Sequence, residues 1–279
     1  GWGGAEPEPT EGRTAKVIHT VDELVAAIEP GAELQLAEGL FDLSTAATYG
    51  QRSGNPYVRW EDRYDGYQLI IHDLDDLTIR GSGRGATNIQ AQSVNANVLA
   101  FEDSTGIRLE GFTAGHAVQA EACSGSVISF VRCEAVEMSQ LGLYGCGAVG
   151  VQADRVTGMR ISDSEIYDCS STGMNLYRCQ DISISACSIY DIGKMVDSYN
   201  PGYAVFCLGE CDGIDVSDCT IRDNLVSYLL LATNCPSFTL TENRMTQNTA
   251  ITAMMYLYES NVVIASSNVL EDNQFNGWY

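Results

Sequence analysis

The chain has 279 residues and a formal charge of −22, with 37 acidic against 15 basic side chains. That balance excludes a nucleic-acid surface and a polybasic membrane anchor. It suits a neutral glycan, or an anionic one only where calcium or a local arginine cluster intervenes. The sequence shows neither a leader-like segment nor an apolar run long enough to span a membrane.

Residues 1–15 begin Gly1-Trp-Gly-Gly-Ala-Glu-Pro-Glu-Pro-Thr-Glu-Gly12 and read as a flexible acidic tether. Such a tether is what an exported protein or lipoprotein keeps after its leader is cut. Residues 16–43 read as a cap. Thr20 and Glu23 make a capping box before an amphipathic helix over Val21 to Ile28, and Pro30-Gly31 stops it. Leu34-Gln-Leu36 and Leu40-Phe-Asp-Leu43 follow as the first strands. Residues 44–68 then gather Tyr49, Tyr57, Trp60, Tyr64 and Tyr67 among six charged side chains. This reads as a loop that either covers the first coils or presents a binding surface.

Beyond it one phrase recurs: apolar, any, apolar, two of any kind, a small residue, any, apolar. It reads Val136-Glu-Met138-Ser-Gln-Leu141-Gly-Leu143, then Met159-Arg-Ile161-Ser-Asp-Ser164-Glu-Ile166, then Ile182-Ser-Ile184-Ser-Ala-Cys187-Ser-Ile189. Further copies centre on Val216, Leu240 and Ile264, and weaker ones on Ile79 and Leu109. Successive centres lie 30, 29, 23, 23, 32, 24 and 24 residues apart. A period near 23 is too short for a helical pair and suits three short strands with their turns. Stacked coils put equivalent residues about 4.8 Å apart, so like sits on like. Eight of the ten cysteines fall on three such rows. Cys133, Cys179, Cys211 and Cys235 precede a centre by five residues. Cys187 and Cys219 follow by three, and Cys146 and Cys169 by eight, a row that Asn224 and Asn248 continue. Cysteine in these slots behaves as a small core residue, although neighbouring rungs are close enough for a disulfide. The pattern predicts an all-β, right-handed parallel β-helix of eight to nine coils with an N-terminal capping α-helix, one domain over 16–279.

These repeats, with phrases such as Gly142-Leu-Tyr-Gly-Cys-Gly147, resemble the pectate-lyase-like β-helix proteins, specifically the secreted bacterial β-helix-repeat group. The resemblance implies the fold, a secreted or cell-surface location and, loosely, a polysaccharide or oligosaccharide ligand. The aspartate clusters and the Gly-His-Gly and Arg-Ile-Lys phrases of polygalacturonases are absent, so it transfers no catalytic residue.

The longer turns, near 83–97, 113–125 and 193–203, all fall between the second and third strands of their coils. The short coils centred on Met138 and Ile161 lie between two of them, which predicts a groove about 10–15 Å wide. Tyr144, Tyr167 and Tyr190 follow their centres by six residues and form an outward row. His116, Asp168 and Asp191 stand one residue further on. Trp60, Tyr64, Tyr199 and Tyr203 are candidate walls. Aromatic faces receive sugar C–H groups while carboxylates receive hydroxyls. Asp168 and Asp191, with His116 beside them, are the catalytic candidates: adjacent carboxylates suit a retaining glycosidase, and a row of aspartates could hold calcium for a lyase. Arg80, Arg108 and Arg160, the available bases, lie on another face, which counts against a lyase. The same rows also stabilise a solenoid with no ligand at all, so a non-enzymatic, monomeric surface or adhesion module is the alternative.

Overall fold

The computed structural model describes residues 14–117, 124–145, 148–194 and 201–277. Within them the chain winds through three sheets, built of ten, nine and ten strands. The first sheet takes one strand per coil from Glu33–Leu36 to Val262–Ile264, with Lys16–Ile18 at its edge. The second runs from Gly39–Asp42 to Val269–Glu271, and the third from Val58–Arg63 to Gln274–Phe275. Pairing is parallel throughout except between Val58–Arg63 and Gly66–His72. This is a right-handed parallel β-helix.

The repeat centres are the register. Ile79 pairs with Leu109, Leu109 with Met138, Met138 with Ile161, and Ile161 with Ile184. Val216, Leu240 and Ile264 continue the same row. All but the terminal Ile264 are buried, and burying each such side chain contributes about 1.5–3 kcal/mol.

Most corners are made the same way. In the coil centred on Ile161, Asp163, Asp168 and Arg178 adopt φ of 48°, 55° and 54°, turning the chain between strands. The next residue in each case, Ser164, Cys169 or Cys179, is buried. Short polar residues tolerate this left-handed region best, which accounts for the aspartates before many turns. The inward residue then meets the corner of the next coil. Cys179 N–H donates to Cys211 Sγ and Cys211 N–H to Cys235 Sγ, both at 3.4 Å. At the second-to-third corner Asn224 Nδ2 donates to Asn248 Oδ1 at 2.8 Å, and Asn248 Nδ2 to Asn273 Oδ1 at 2.9 Å. The eight described cysteines are free thiols; Cys146 lies outside the described residues.

The helix Val21–Ala27 covers the N-terminal end, with Thr20 Oγ1 accepting from Glu23 N–H at 3.1 Å. Glu23 reaches back one residue further than a standard capping box, accepting from His19 N–H at 2.6 Å. The stretch 44–68 is not all loop. Val58–Arg63 and Gly66–His72 form an antiparallel hairpin on the edge of the third sheet. Trp60 packs edge-on to Tyr49 at 5.1 Å and its indole N–H donates to Thr48 Oγ1 at 3.1 Å, while Tyr64 at the tip is 98% exposed.

Candidate functional site

Tyr144, Tyr167 and Tyr190 end three successive strands of the second sheet and pair directly with one another. Alternation turns all three outward. Tyr144 and Tyr167 lie 6.0 Å apart at 23°, and Tyr167 and Tyr190 5.1 Å apart at 3°, a continuous face-to-face stack. Both ends are closed. Arg222 sits over the far face of Tyr190 at 4.2 Å. At the other end Gly115 pairs with Tyr144, and a Cβ there would lie 2.7 Å from the ring, so only glycine admits it. The Tyr144 hydroxyl is held by Gln90 Nε2 at 2.7 Å and Asn88 Nδ2 at 2.9 Å. The row therefore offers ring edges and hydroxyls, not open faces. Among the described residues the Tyr167 hydroxyl makes no hydrogen bond.

Asp168 and Asp191 occupy the left-handed corner positions beside Tyr167 and Tyr190. Burial, and then the negative Asp191, raise the pKa of the Asp168 carboxyl above the ordinary aspartate value, with Lys194 pulling the other way. Lys194 Nζ pairs with Asp191 at 2.9 Å and approaches Asp223 at 3.9 Å. The raised pKa suits Asp168 to the role of an acid, while Asp191 is paired with the Lys194 ammonium. Glu165, two residues before Tyr167 on the same face, accepts from the Tyr190 hydroxyl at 3.3 Å and pairs with Arg84 at 3.1 Å.

Sequence reasoning missed Arg84, Glu165, Lys194 and Arg222. Glu165 had a signal: reading the outward row two residues earlier finds it. Arg84 crosses Gly142 to reach Glu165, a contact that spacing alone does not show.

His116 is corrected. It shares the inward side of its strand with Ala114, is 3% exposed, and its Nε2 lies 2.8 Å from the Ala96 carbonyl, so it cannot meet a ligand on the outward face. Among the described residues its Nδ1 has no hydrogen-bond partner. Tyr203 and Trp60 belong to the third sheet and not to walls beside the tyrosine row. Tyr199 and the loop segments 118–123 and 195–200 lie outside the described residues. Arg80, Arg108 and Arg160 stand on the first sheet, as the spacing requires. Among the described residues no group of three or more His, Cys, Asp or Glu is placed to hold a metal ion, and no helix is long and apolar enough to cross a membrane.

The buried imidazole makes stability depend on pH. Burial lowers the His116 pKa below its usual 6.5. The unfolded chain therefore binds the proton more tightly, and His116 stabilises the fold above pH 6.5 and progressively less below it. Wild type should lose stability faster than His116→Gln between pH 7 and 5. Parallel melting curves across that range would refute this.

Three parallel sheets closed by left-handed corners define the class of this molecule. More narrowly, the chain belongs to the right-handed β-helix region family, whose model matches residues 74–224 and 126–279. No match to a curated protein was found at the sequence level. Among solved structures it is similar to the catalytic domain of a GH87 α-1,3-glucanase in complex with tetrasaccharides. That likeness has TM-score 0.61 and 9% identity, and covers 97% of this chain but 46% of that one. An alginate lyase from Paenibacillus sp. str. FPU-7 matches at TM-score 0.46 and 14% identity, over 92% and 98% of the two chains. PfbA, a surface adhesin of Streptococcus pneumoniae, matches at TM-score 0.47 and 8% identity, over 93% and 81%. This chain thus spans less than half of the glucanase domain, and at such identities the likeness is one of fold.

Proposed function

We infer that residues 16–279 form one exported β-helix domain that binds a polysaccharide or oligosaccharide across the second sheet, over the coils centred on Met138, Ile161 and Ile184. The observation that carries this is the in-register strip of Tyr144, Tyr167 and Tyr190 with Asp168 and Asp191 at its border. Phenol hydroxyls and carboxylates on one rigid face meet sugar hydroxyls at fixed spacing, and the stacked rings keep them there. Cleavage of the bound sugar would fall to Asp168 as the acid.

The test is a glycan array with wild type, Tyr167→Phe and Asp168→Asn. Tyr167→Phe keeps the stack and deletes one hydroxyl, and Asp168→Asn removes the charge. Each should weaken binding about tenfold, the value of one or two hydrogen bonds, with melting unchanged. No binding by wild type, or unchanged binding by both variants, removes the reading. A second reading, a surface module whose row only stiffens the stack, is favoured by the covered ring faces. It requires Tyr167→Ala to destabilise the fold while no glycan binds.

A further inference from the structure

Four neighbouring strands of the third sheet, Thr172–Tyr177, Gly202–Gly209, Leu225–Thr233 and Thr249–Tyr258, contain no Asp, Glu, Lys or Arg. In a chain with 37 acidic and 15 basic residues this is the face that charge avoids. By contrast the first sheet carries Arg80, Arg108, Glu137 and Asp215, and the second Glu165, Arg222 and Arg244. Charge returns at the corners that flank the bare strands, and there it is paired. Arg178 meets Glu210 at 2.8 Å on one side, and Lys194 meets Asp191 at 2.9 Å on the other.

What replaces charge is apolar and open. Tyr203 is 48% exposed, Ile251 41%, Tyr256 41% and Tyr258 53%. Tyr203 meets Tyr228 at 6.3 Å and 87°, and Tyr228 meets Tyr256 at 5.9 Å and 56°. The rings stand edge-on or tilted, so unlike the stack on the second sheet they leave faces uncovered. Tyr256 pairs with Leu231 and Leu231 with Cys207, which carries the outward row across the strands. A tyrosine-rich, uncharged centre with ion pairs at its border has the anatomy of a protein–protein contact. A contiguous apolar patch of this kind is uncommon on a surface that meets only water.

We propose that this face is a self-association surface, on which a second copy of the chain seats as a twofold dimer. Area and charge select that occupant. Strands of six, eight, nine and ten residues, at about 3.3 Å per residue and 4.8 Å between neighbours, give about 500 Å². Two copies then bury about 1,000 Å² together, the lower limit for a specific contact, which makes the dimer reversible. Two chains of charge −22 repel, and the bare strands are where they meet with no acidic side chain facing another. An unlike partner drawn by the field of this chain would be basic and would settle on the acidic faces. Because net charge opposes the contact, screening by salt strengthens it. The surface is independent of the one proposed on the second sheet.

The experiment is sedimentation equilibrium of the whole chain over a range of concentrations. Wild type, Tyr256→Asp, Tyr203→Asp and Tyr64→Asp are run in parallel, the last placing the same charge at the exposed hairpin tip. The wild-type mass should rise from one chain toward two with a micromolar midpoint, and the midpoint should fall between about 50 and about 500 mM salt. Tyr256→Asp should weaken association about thirtyfold, as for loss of an aromatic anchor, and Tyr64→Asp should match wild type. Thermal melting verifies the fold, and Tyr203→Asp reads the same face should Tyr256→Asp melt early. A wild type that stays monomeric at about 0.5 mM in high salt overturns the proposal and leaves the face to an unlike partner. Association that both Tyr256→Asp and Tyr203→Asp retain also overturns it, since the contact then lies elsewhere. So does association that salt weakens, which would mark a contact between opposite charges.

Discussion

Asn248→Leu should lower stability by about 3–5 kcal/mol, as expected for loss of a buried, fully bonded polar group. Asn248 is completely buried. Its Oδ1 accepts from Asn224 Nδ2 at 2.8 Å and Asn224 N–H at 3.3 Å, and its Nδ2 donates to the Ile221 carbonyl at 2.8 Å. Leucine keeps the branched shape of asparagine but is larger, so overpacking adds to the main cost, which falls on polar partners left without a bond inside the protein. The loss should appear as a lower denaturant midpoint, and proteolysis should begin in the C-terminal coils, since a solenoid is held by nearest-neighbour contacts. A loss below about 1 kcal/mol would show that the amide only fills space.

Phe130→Ala should cost about 3–5 kcal/mol, by a different route. Phe130 is fully buried and stacks on Phe101 at 5.3 Å and 15°, filling the interior between neighbouring coils. Removing the ring leaves a cavity that strands paired on both sides cannot collapse around. Phe130→Leu, which refills most of the volume, should recover more than half of the loss in the same urea titration. An equal loss for both substitutions would mean that ring shape and not volume is what the core requires.

The winding of the chain was legible because it rests on side-chain period and burial, which spacing reports directly. Ile79, Leu109, Met138 and Ile161 occupy one row in the structure for the reason they stand out in the sequence. The tyrosine row was legible for the same reason. Its ring orientation was not, because that depends on Arg222 and Gly115, which lie on neighbouring coils. His116 shows where counting stops. A step of one residue past an outward glycine turns the ring inward, where its Nε2 meets the Ala96 carbonyl. The aspartates that counting marked as chemistry stand where the backbone turns left-handed, a demand that accounts for their residue type without a ligand. Trp60 shows a third limit. Charges on both sides of Val58–Arg63 hide the alternation that would have marked a hairpin.

The corner geometry also decides how such a molecule can change length. Every winding carries its own three bends and its own inward side chains, so removing or adding a whole winding leaves each remaining residue facing as before. A single-residue deletion within a strand does the opposite: everything up to the next bend swaps interior for solvent. Lineages of this shape are therefore free to grow and shrink in complete turns, and their chemical novelty must come from the outer faces and from loops that leave the bends untouched.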